Sequence, residues 1–335
     1  MNNVNHSSVD YLVQLSCGYW KSCILFAAVE FDIFTLINNG KHTRKDISQS
    51  ICSDERATEM LLNALVSLEL LTKQADRYDN SQISELYLVK GKPYYQGDFI
   101  HHLHNIMENW TMIRETIETG KAVSLKDLPE EVDPHDLRDF ITAMHTIASV
   151  KTEILCSKIC LKEAKTLLDL AGGPGTYAIA CAKANPQLRA VVFDLEHVVK
   201  LTREFIHAAG VEDRVITQAG NCLEDSFGEN AYDAILISNL LHIYNPENNR
   251  KILKKCHDAL RSGGQVIINE FVLDETRTHP QFAALFSLNM LIGTQEGASY
   301  SESEYRAWLE NTGFKDIKRI DLVSNSSLII GKKPL

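Results

Sequence analysis

The plainest chemical signal in the chain is a glycine-rich turn flanked by two acids. Thr166–Ala180 reads Thr-Leu-Leu-Asp-Leu-Ala-Gly-Gly-Pro-Gly-Thr-Tyr-Ala-Ile-Ala. An apolar run ends on Asp169, and Gly172, Gly173 and Gly175 then allow a tight turn and a close approach of backbone to ligand. Helical spacing resumes at Tyr177, so the free N–H groups of a helix start point back at the turn. A nucleotide-like ligand suits such a cradle. The next apolar run, Ala190-Val-Val-Phe-Asp-Leu, ends on Asp194, whose carboxylate is placed to accept hydrogen bonds from two ribose hydroxyls.

These residues need a sheet to hold them, and the pattern supplies one. Strands are expected at 166–170, 190–194, 214–218, 233–238, 264–270, 317–323 and 326–332, with helical patterns between most of them. That alternation describes an α/β, Rossmann-like, mostly parallel seven-stranded sheet covered on both faces. Ser324 and Asn325 are all that separates the last two strands, which predicts an antiparallel hairpin at one edge. A dinucleotide-binding domain is the alternative at this point, and the hairpin edge disfavours it.

The first ninety or so residues read differently. Apolar positions at helical spacing (Leu12, Leu15, Tyr19, Cys23, Leu25, Phe26, Val29, Ile33, Phe34, Ile37) predict two helices joined near Glu30–Asp32. Gly40 stops the second, Thr43-Arg-Lys-Asp46 opens a third, and a fourth follows Ser53. Leu70–Asp79 reads as two short strands around a polar turn. Helices followed by a hairpin describe a winged helix. Its second helix sets Arg56 against Asp54, Glu55, Glu59 and Glu69, which suits dimerisation or packing better than binding to DNA. The apolar first helices need a partner to cover them, and a homodimer is expected.

Composition narrows the task further. Lys and Arg total 34 against 44 Asp and Glu, a net charge of −10 that repels phosphate backbones. No apolar run is expected to reach membrane-spanning length, and Met1–Asp10 lacks a signal core, which places the chain in the cytoplasm without nucleic-acid or membrane partners. Eight cysteines form no Cys-x-x-Cys pair and read as mostly buried free thiols, with Cys156 and Cys160 on one helix face. His101, His102 and His104 read as a polar patch and not as a metal site, and His197 and His257 as surface residues. Pro129 and Asp133-Pro134-His135 mark a loop.

Taken together the motifs resemble the S-adenosylmethionine-dependent small-molecule O-methyltransferases, which join a winged-helix dimerisation domain to a class I methyltransferase domain. The resemblance covers nearly the whole chain and implies domains at 1–92 and 161–335, with a helical region, 93–160, contributing to the substrate pocket. Asp169-Leu-Ala-Gly-Gly-Pro-Gly175 stands where the family has Asp-Val-Gly-Gly-Gly-x-Gly, with Ala171 in place of the first glycine. Asp194-Leu195 matches the ribose-binding acid and its neighbour. Gly220-Asn221-Cys222 replaces Gly-Asp-Phe, so the Asn221 oxygen takes the adenine-binding part. Ser238 ends the next strand, and His242-Ile243-Tyr244 replaces His-Asp-Trp.

What the resemblance implies is an enzyme that moves a methyl group from S-adenosylmethionine to a hydroxyl of a small aromatic or polyketide-like metabolite, leaving S-adenosylhomocysteine. His242 matches the general base, with Glu270 and Glu296 holding its ring, and Phe140, Met144, Phe286, Asn289 and Met290 fall at substrate-pocket positions. Imidazole suits the task because it is largely free base near neutrality yet accepts a proton readily. Three alternatives stay open: transfer to nitrogen or carbon, a non-methylating enzyme of the same fold, and a non-catalytic winged-helix regulator that senses the cofactor.

Overall fold

The computed structural model describes residues 6–123, 134–323 and 325–335. The chain forms two compact units, Met1–Ile106 and Met107–Leu335.

In the first unit, α1 (His6–Ser16), α2 (Tyr19–Glu30) and α3 (Ile33–Asn38) precede α4 (Arg44–Ser50) and α5 (Glu55–Ser67). Three helices therefore occupy the stretch expected to hold two, because Cys17 and Gly18 interrupt the first run. Thr43 caps α4 through the Asp46 N–H, and Asp54 caps α5 through the Ala57 N–H. The antiparallel ribbon β1 (Leu71–Gln74) and β2 (Arg77–Asn80) follows, then α6 (Gln82–Tyr87). Ile33, Phe34, Ile47, Leu62, Leu65 and Tyr78 close a core between these elements. In α7 (Gly97–Thr111), the His104 ring stacks on Phe26 at 4.9 Å, which ties one member of the histidine triplet to a helix contact.

α1 and the start of α2 stay apart from that core. Tyr11, Leu12, Leu15, Tyr19 and Trp20 are all more than half exposed. One expectation is overturned here: Ser8–Glu30, 23 residues, is long and apolar enough by length and composition to cross a membrane. The periodic apolar spacing runs through both helices, so hydropathy accumulates although no single run of residues is uninterrupted.

The second unit is built on a seven-stranded sheet. α8 (Ile113–Thr119), α9 (Pro134–Ser149) and α10 (Thr152–Lys158) lead into β3 (Thr166–Leu170), α11 (Thr176–Ala184), β4 (Arg189–Asp194), α12 (Glu196–Ala209), β5 (Val215–Ala219) and β6 (Tyr232–Ser238). Then come α13 (Pro246–Ala259), β7 (Leu260–Glu270), α14 (Gln281–Gly293), α15 (Glu302–Thr312), β8 (Lys315–Asp321) and β9 (Ser327–Lys332). Strand order is β5-β4-β3-β6-β7-β9-β8. β9 alone runs antiparallel to its neighbours, and the β8–β9 hairpin forms the edge as expected. Central strands are buried on both faces: Ala234, Ile235, Leu236 and Ile237 of β6 are fully buried, which is why they read as a continuous apolar run without alternation.

Two further readings change. His197 and His257 are half-buried and not at the open surface, and His257 packs edge-on against Phe314 at 5.1 Å. Only Cys181, Cys222 and Cys256 of the eight thiols are buried; Cys52 and Cys160 are exposed. α10 ends at Lys158, so Cys160 shares no helix with Cys156, whose Sγ lies instead 3.7 Å from that of Cys181. Helical periodicity names the residues on one face but not what packs against it. Of the loop placed at Pro129 and Asp133-Pro134-His135, residues 129–133 lie outside the described residues, whereas Pro134 and His135 open α9, because proline is suited to a first helical position.

Candidate active site

Sheet order reverses between β3 and β6, and the carboxyl ends of β3, β4, β5, β6 and β7 open on one edge. That is where α/β sheets bind ligands. Asp169, Asp194, Gly220, Ser238 and Glu270 all stand at these ends.

The glycine turn is locked by its neighbours. Asp194 accepts hydrogen bonds from the Gly173 N–H at 2.7 Å and the Leu195 N–H at 2.8 Å, and Thr202 donates to the Gly173 carbonyl at 2.6 Å. A Cβ on Gly172 would lie 2.8 Å from both Asp169 Cγ and Val192 Cγ1, and one on Gly220 2.4 Å from Phe193 Cζ. Neither position has room for a side chain. Ala171 sits at φ 51°, in the left-handed region that favours glycine, so the one departure within the turn keeps the conformation that a glycine would adopt.

Asp169 is 1% exposed, accepts the Ala178 N–H through Oδ2 at 3.2 Å, and leaves Oδ1 buried without a partner. Burial, reinforced by the nearby Asp194 charge, pushes its carboxyl up to about 7, and burial pushes that of Asp194 up to about 6 against the opposing pull of the Gly173 and Leu195 N–H groups. Two acids with costly charges and one orphaned oxygen, beside glycines that admit no side chain, fit a cationic nucleoside cofactor. Asn221 Oδ1 accepts the Leu223 N–H at 2.9 Å and has a second lone pair, while its own backbone N–H donates to Asp225. Cys222 is buried, with Sγ 3.5 Å from the Tyr244 hydroxyl, and Ser238 Oγ accepts from Asn269 at 2.9 Å.

His242 lies in a single 3-10 turn, Leu241–Ile243, just beyond β6. Its Nδ1 pairs with Glu270 Oε2 at 2.7 Å, and both side chains are nearly fully buried. Glu270 Oε1 accepts the Leu241 N–H at 2.9 Å, so this carboxylate fixes ring and backbone together. With Nδ1 turned to Glu270, Nε2 points the other way, and the Phe286 ring meets the imidazole edge-on at 4.9 Å. Glu296 corrects an expectation. It is exposed, and among the described residues its hydrogen bonds run to Asn245 and to Asn248, the latter at 2.7 Å. The Thr294–Gly297 turn brings its neighbours, not its carboxylate, to His242: the Ala298 N–H donates to the His242 carbonyl at 2.9 Å.

The five pocket candidates separate. Phe286 touches His242, Asn289 accepts from the Trp110 indole at 2.9 Å, and Met290 is buried. Met144 is half-buried and Phe140 is 38% exposed, both on α9. Sequence reasoning missed Thr202, Phe271 and Lys151. Phe271 directly follows Glu270 and could have been found from that adjacency; nothing local marks Thr202.

The strand order, the glycine turn and the ring of acids define a class I methyltransferase. Residues 127–315 match the O-methyltransferase domain and residues 13–90 the O-methyltransferase dimerisation domain. The 3-hydroxy-5-methyl-1-naphthoate 3-O-methyltransferase of Streptomyces sahachiroi is 32% identical, over 93% of this chain and 91% of its own. The N,N-dimethyltransferase OxyT of Streptomyces rimosus is 30% identical, over 96% of each. The fold superposes on the human N-acetylserotonin methyltransferase in complex with SAM with a TM-score of 0.90, covering 100% of both chains at 24% identity. The chain therefore belongs to the S-adenosylmethionine-dependent O-methyltransferase family. It is an enzyme, S-adenosylmethionine is its cofactor, and its amino-terminal unit contains the family's dimerisation domain.

Proposed function

We propose that the protein transfers a methyl group from S-adenosylmethionine to a hydroxyl of a small aromatic or polyketide-like metabolite, with His242 as general base. The observation that supports this reading most is the buried His242–Glu270 pair, 2.7 Å apart at the ligand-binding edge of the sheet. Glu270 holds the proton on Nδ1, which leaves the Nε2 lone pair to take the acceptor's hydroxyl proton, and its negative charge then stabilises the imidazolium. When bound, the cofactor supplies an electrophilic methyl group on a sulfonium and departs as a neutral thioether. The protein aligns the attacking oxygen, removes its proton and excludes water. Glu296 acts at one remove, by bracing the Asn245–Asn248 turn that follows His242.

In this reading Asp169, Gly172, Gly173, Gly175, Asp194, Leu195, Gly220, Asn221, Cys222 and Ser238 surround the cofactor, and Phe140, Met144, Phe286, Asn289 and Met290 line the acceptor side. The region 93–160, which in sequence follows a domain at 1–92 and precedes one at 161–335, contributes to that pocket. The acceptor named for the Streptomyces sahachiroi relative is an aromatic hydroxy acid, which favours oxygen. The printed activity of OxyT supports transfer to nitrogen as the second reading. Incubation with methyl-labelled cofactor and paired phenol and aniline acceptors separates the two: label on phenols supports the first, and label on anilines alone removes it.

The exposed apolar face of α1 and α2 is proposed as the homodimer contact, in a cytoplasmic enzyme of secondary metabolism without nucleic-acid or membrane partners. Leu12→Lys with Leu15→Lys should shift the sedimenting species from dimer to monomer; a monomeric native protein refutes the contact.

Cofactor affinity should depend on pH with a definite sign. A bound cation favours the ionised forms of Asp169 and Asp194, so binding releases protons wherever these acids are protonated in the free enzyme. Affinity therefore rises as pH increases through about 6 to about 7 and levels off above. Calorimetry from pH 5 to 8 checks this, and a flat profile refutes it.

A further inference from the structure

The aromatic wall beside His242 ends on an amine. Phe286 meets Phe271 at 4.7 Å between ring centroids, and Phe282 meets Phe271 at 4.9 Å. Beyond them Lys151, which precedes α10, holds its Nζ 5.9 Å from the Phe271 centroid. Among the described residues the ring face is the one partner of this ammonium: Nζ makes no hydrogen bond or ion pair, and only the Lys151 backbone is hydrogen-bonded.

A lysine in this setting is unusual. A surface ammonium needs no partner because water solvates it, but Lys151 is half-buried and burial lowers its pKa. A cation over a phenylalanine ring recovers less than a desolvated charge loses without a counterion. A leucine or methionine would serve the packing better. Lys255 and Arg261 differ: Lys255 binds the carbonyls of Leu223 and Asp225, and Arg261 binds Asp233. Among the described residues Lys151 Nζ has no such partner, and it stands at the end of a row of rings that begins at the proposed base.

We propose that Lys151 is a specificity-determining residue that receives the carboxylate of an aromatic hydroxy acid, while the acid's ring lies along Phe271 and Phe286 and its hydroxyl faces His242. This rests on the methyl-acceptor reading above and narrows it to anionic acceptors. A chain with a net charge of −10 repels such molecules at long range, so a local cation is needed to hold one. Once the carboxylate is seated, the amine gains a counterion that none of the described residues provides, and the acceptor is fixed at both ends.

The test uses the full-length protein saturated with S-adenosylhomocysteine, with 6-hydroxy-2-naphthoate, whose hydroxyl and carboxylate stand at opposite ends of the ring system, and its methyl ester as probes. By calorimetry the wild type should bind the acid at least about tenfold more tightly than the ester. In K151M that preference should fall to within about threefold, and K151R should keep part of it. Unchanged S-adenosylhomocysteine affinity in both variants shows that they are folded. An ester bound as tightly as the acid, an acid that does not bind, or an acid preference that survives in K151M overturns the assignment. Transfer of labelled methyl to the ester in any of those cases leaves the hydroxyl-methylation reading standing, so the two failures are distinguishable.

Discussion

His242→Ala should lower kcat by roughly 10²–10⁴-fold, the usual contribution of a positioned general base, while S-adenosylhomocysteine still binds within about threefold of wild type. The reason is positional. The imidazole stands beyond β6, with Nδ1 bound to Glu270, and none of the hydrogen bonds that hold the glycine turn passes through it. Glu270→Gln tests the same arrangement from behind. The amide can still accept from Nδ1–H, but it no longer offers a charge to the imidazolium, so kcat should fall by roughly 10-fold or more and the acid limb of the pH–rate profile should shift. Glu296→Gln serves as the contrast: its hydrogen bonds go to Asn245 and Asn248, and a loss below about fivefold is expected. If Glu296→Gln costs as much as Glu270→Gln, the carboxylate must reach the imidazole during turnover. Full activity in His242→Ala removes the general-base role altogether.

Asp194→Ala should raise the dissociation constant for S-adenosylhomocysteine by roughly 100-fold while changing stability much less. The carboxylate accepts two backbone N–H groups, from Gly173 and Leu195, and hydrogen bonds to a charged acceptor contribute about 1.5–3 kcal/mol each. Losing them releases the glycine turn as well as any ribose contact. In the free protein that gain is offset by the cost of the buried charge. Asp194 has a folded pKa near 6, above its ordinary value of 3.8, so ionising it in the fold is unfavourable; the penalty is absent at acid pH and fully present above about 6. Removing the group therefore relieves the folded state of a strain while depriving the cofactor of its anchor. Calorimetry and thermal unfolding on the same variant separate the effects. An unchanged dissociation constant with a large fall in Tm would mean that Asp194 serves the fold alone.

Much of this site was legible in the sequence because its chemistry is local along the chain. Asp169 and the glycines lie in one strand–turn–helix unit, and the apolar runs of the parallel strands are short, continuous and bounded by turn residues. Burial on both faces demands such runs, so all seven strands could be placed within a few residues. Asp194 followed from its place at the end of the next strand, while Ser238 and Glu270 were reached through the family resemblance, both at strand ends that a parallel sheet sends to the same edge. The N-terminal hairpin and the capped helices α4 and α5 were equally plain, but periodicity ran through Cys17 and Gly18 and merged α1 and α2 into one helix.

What the sequence could not determine were distances between segments remote in the chain. Two glutamates matched the partner positions of His242; only the packed structure brings Glu270 to 2.7 Å of Nδ1 and turns Glu296 toward Asn245 and Asn248. The same holds for Asn221, whose oxygen accepts from the Leu223 N–H, and for Cys156, which faces Cys181 and not Cys160. Lys151 carried no signal at all, because a lysine at the start of a helix is ordinary until the rings beside it are known. Secondary structure and strand ends arise from periodicity, turn chemistry and burial, which neighbouring residues express among themselves. Which side chain meets which depends on rotamers and on the register of packed elements, and those are settled only when the whole chain closes around its core.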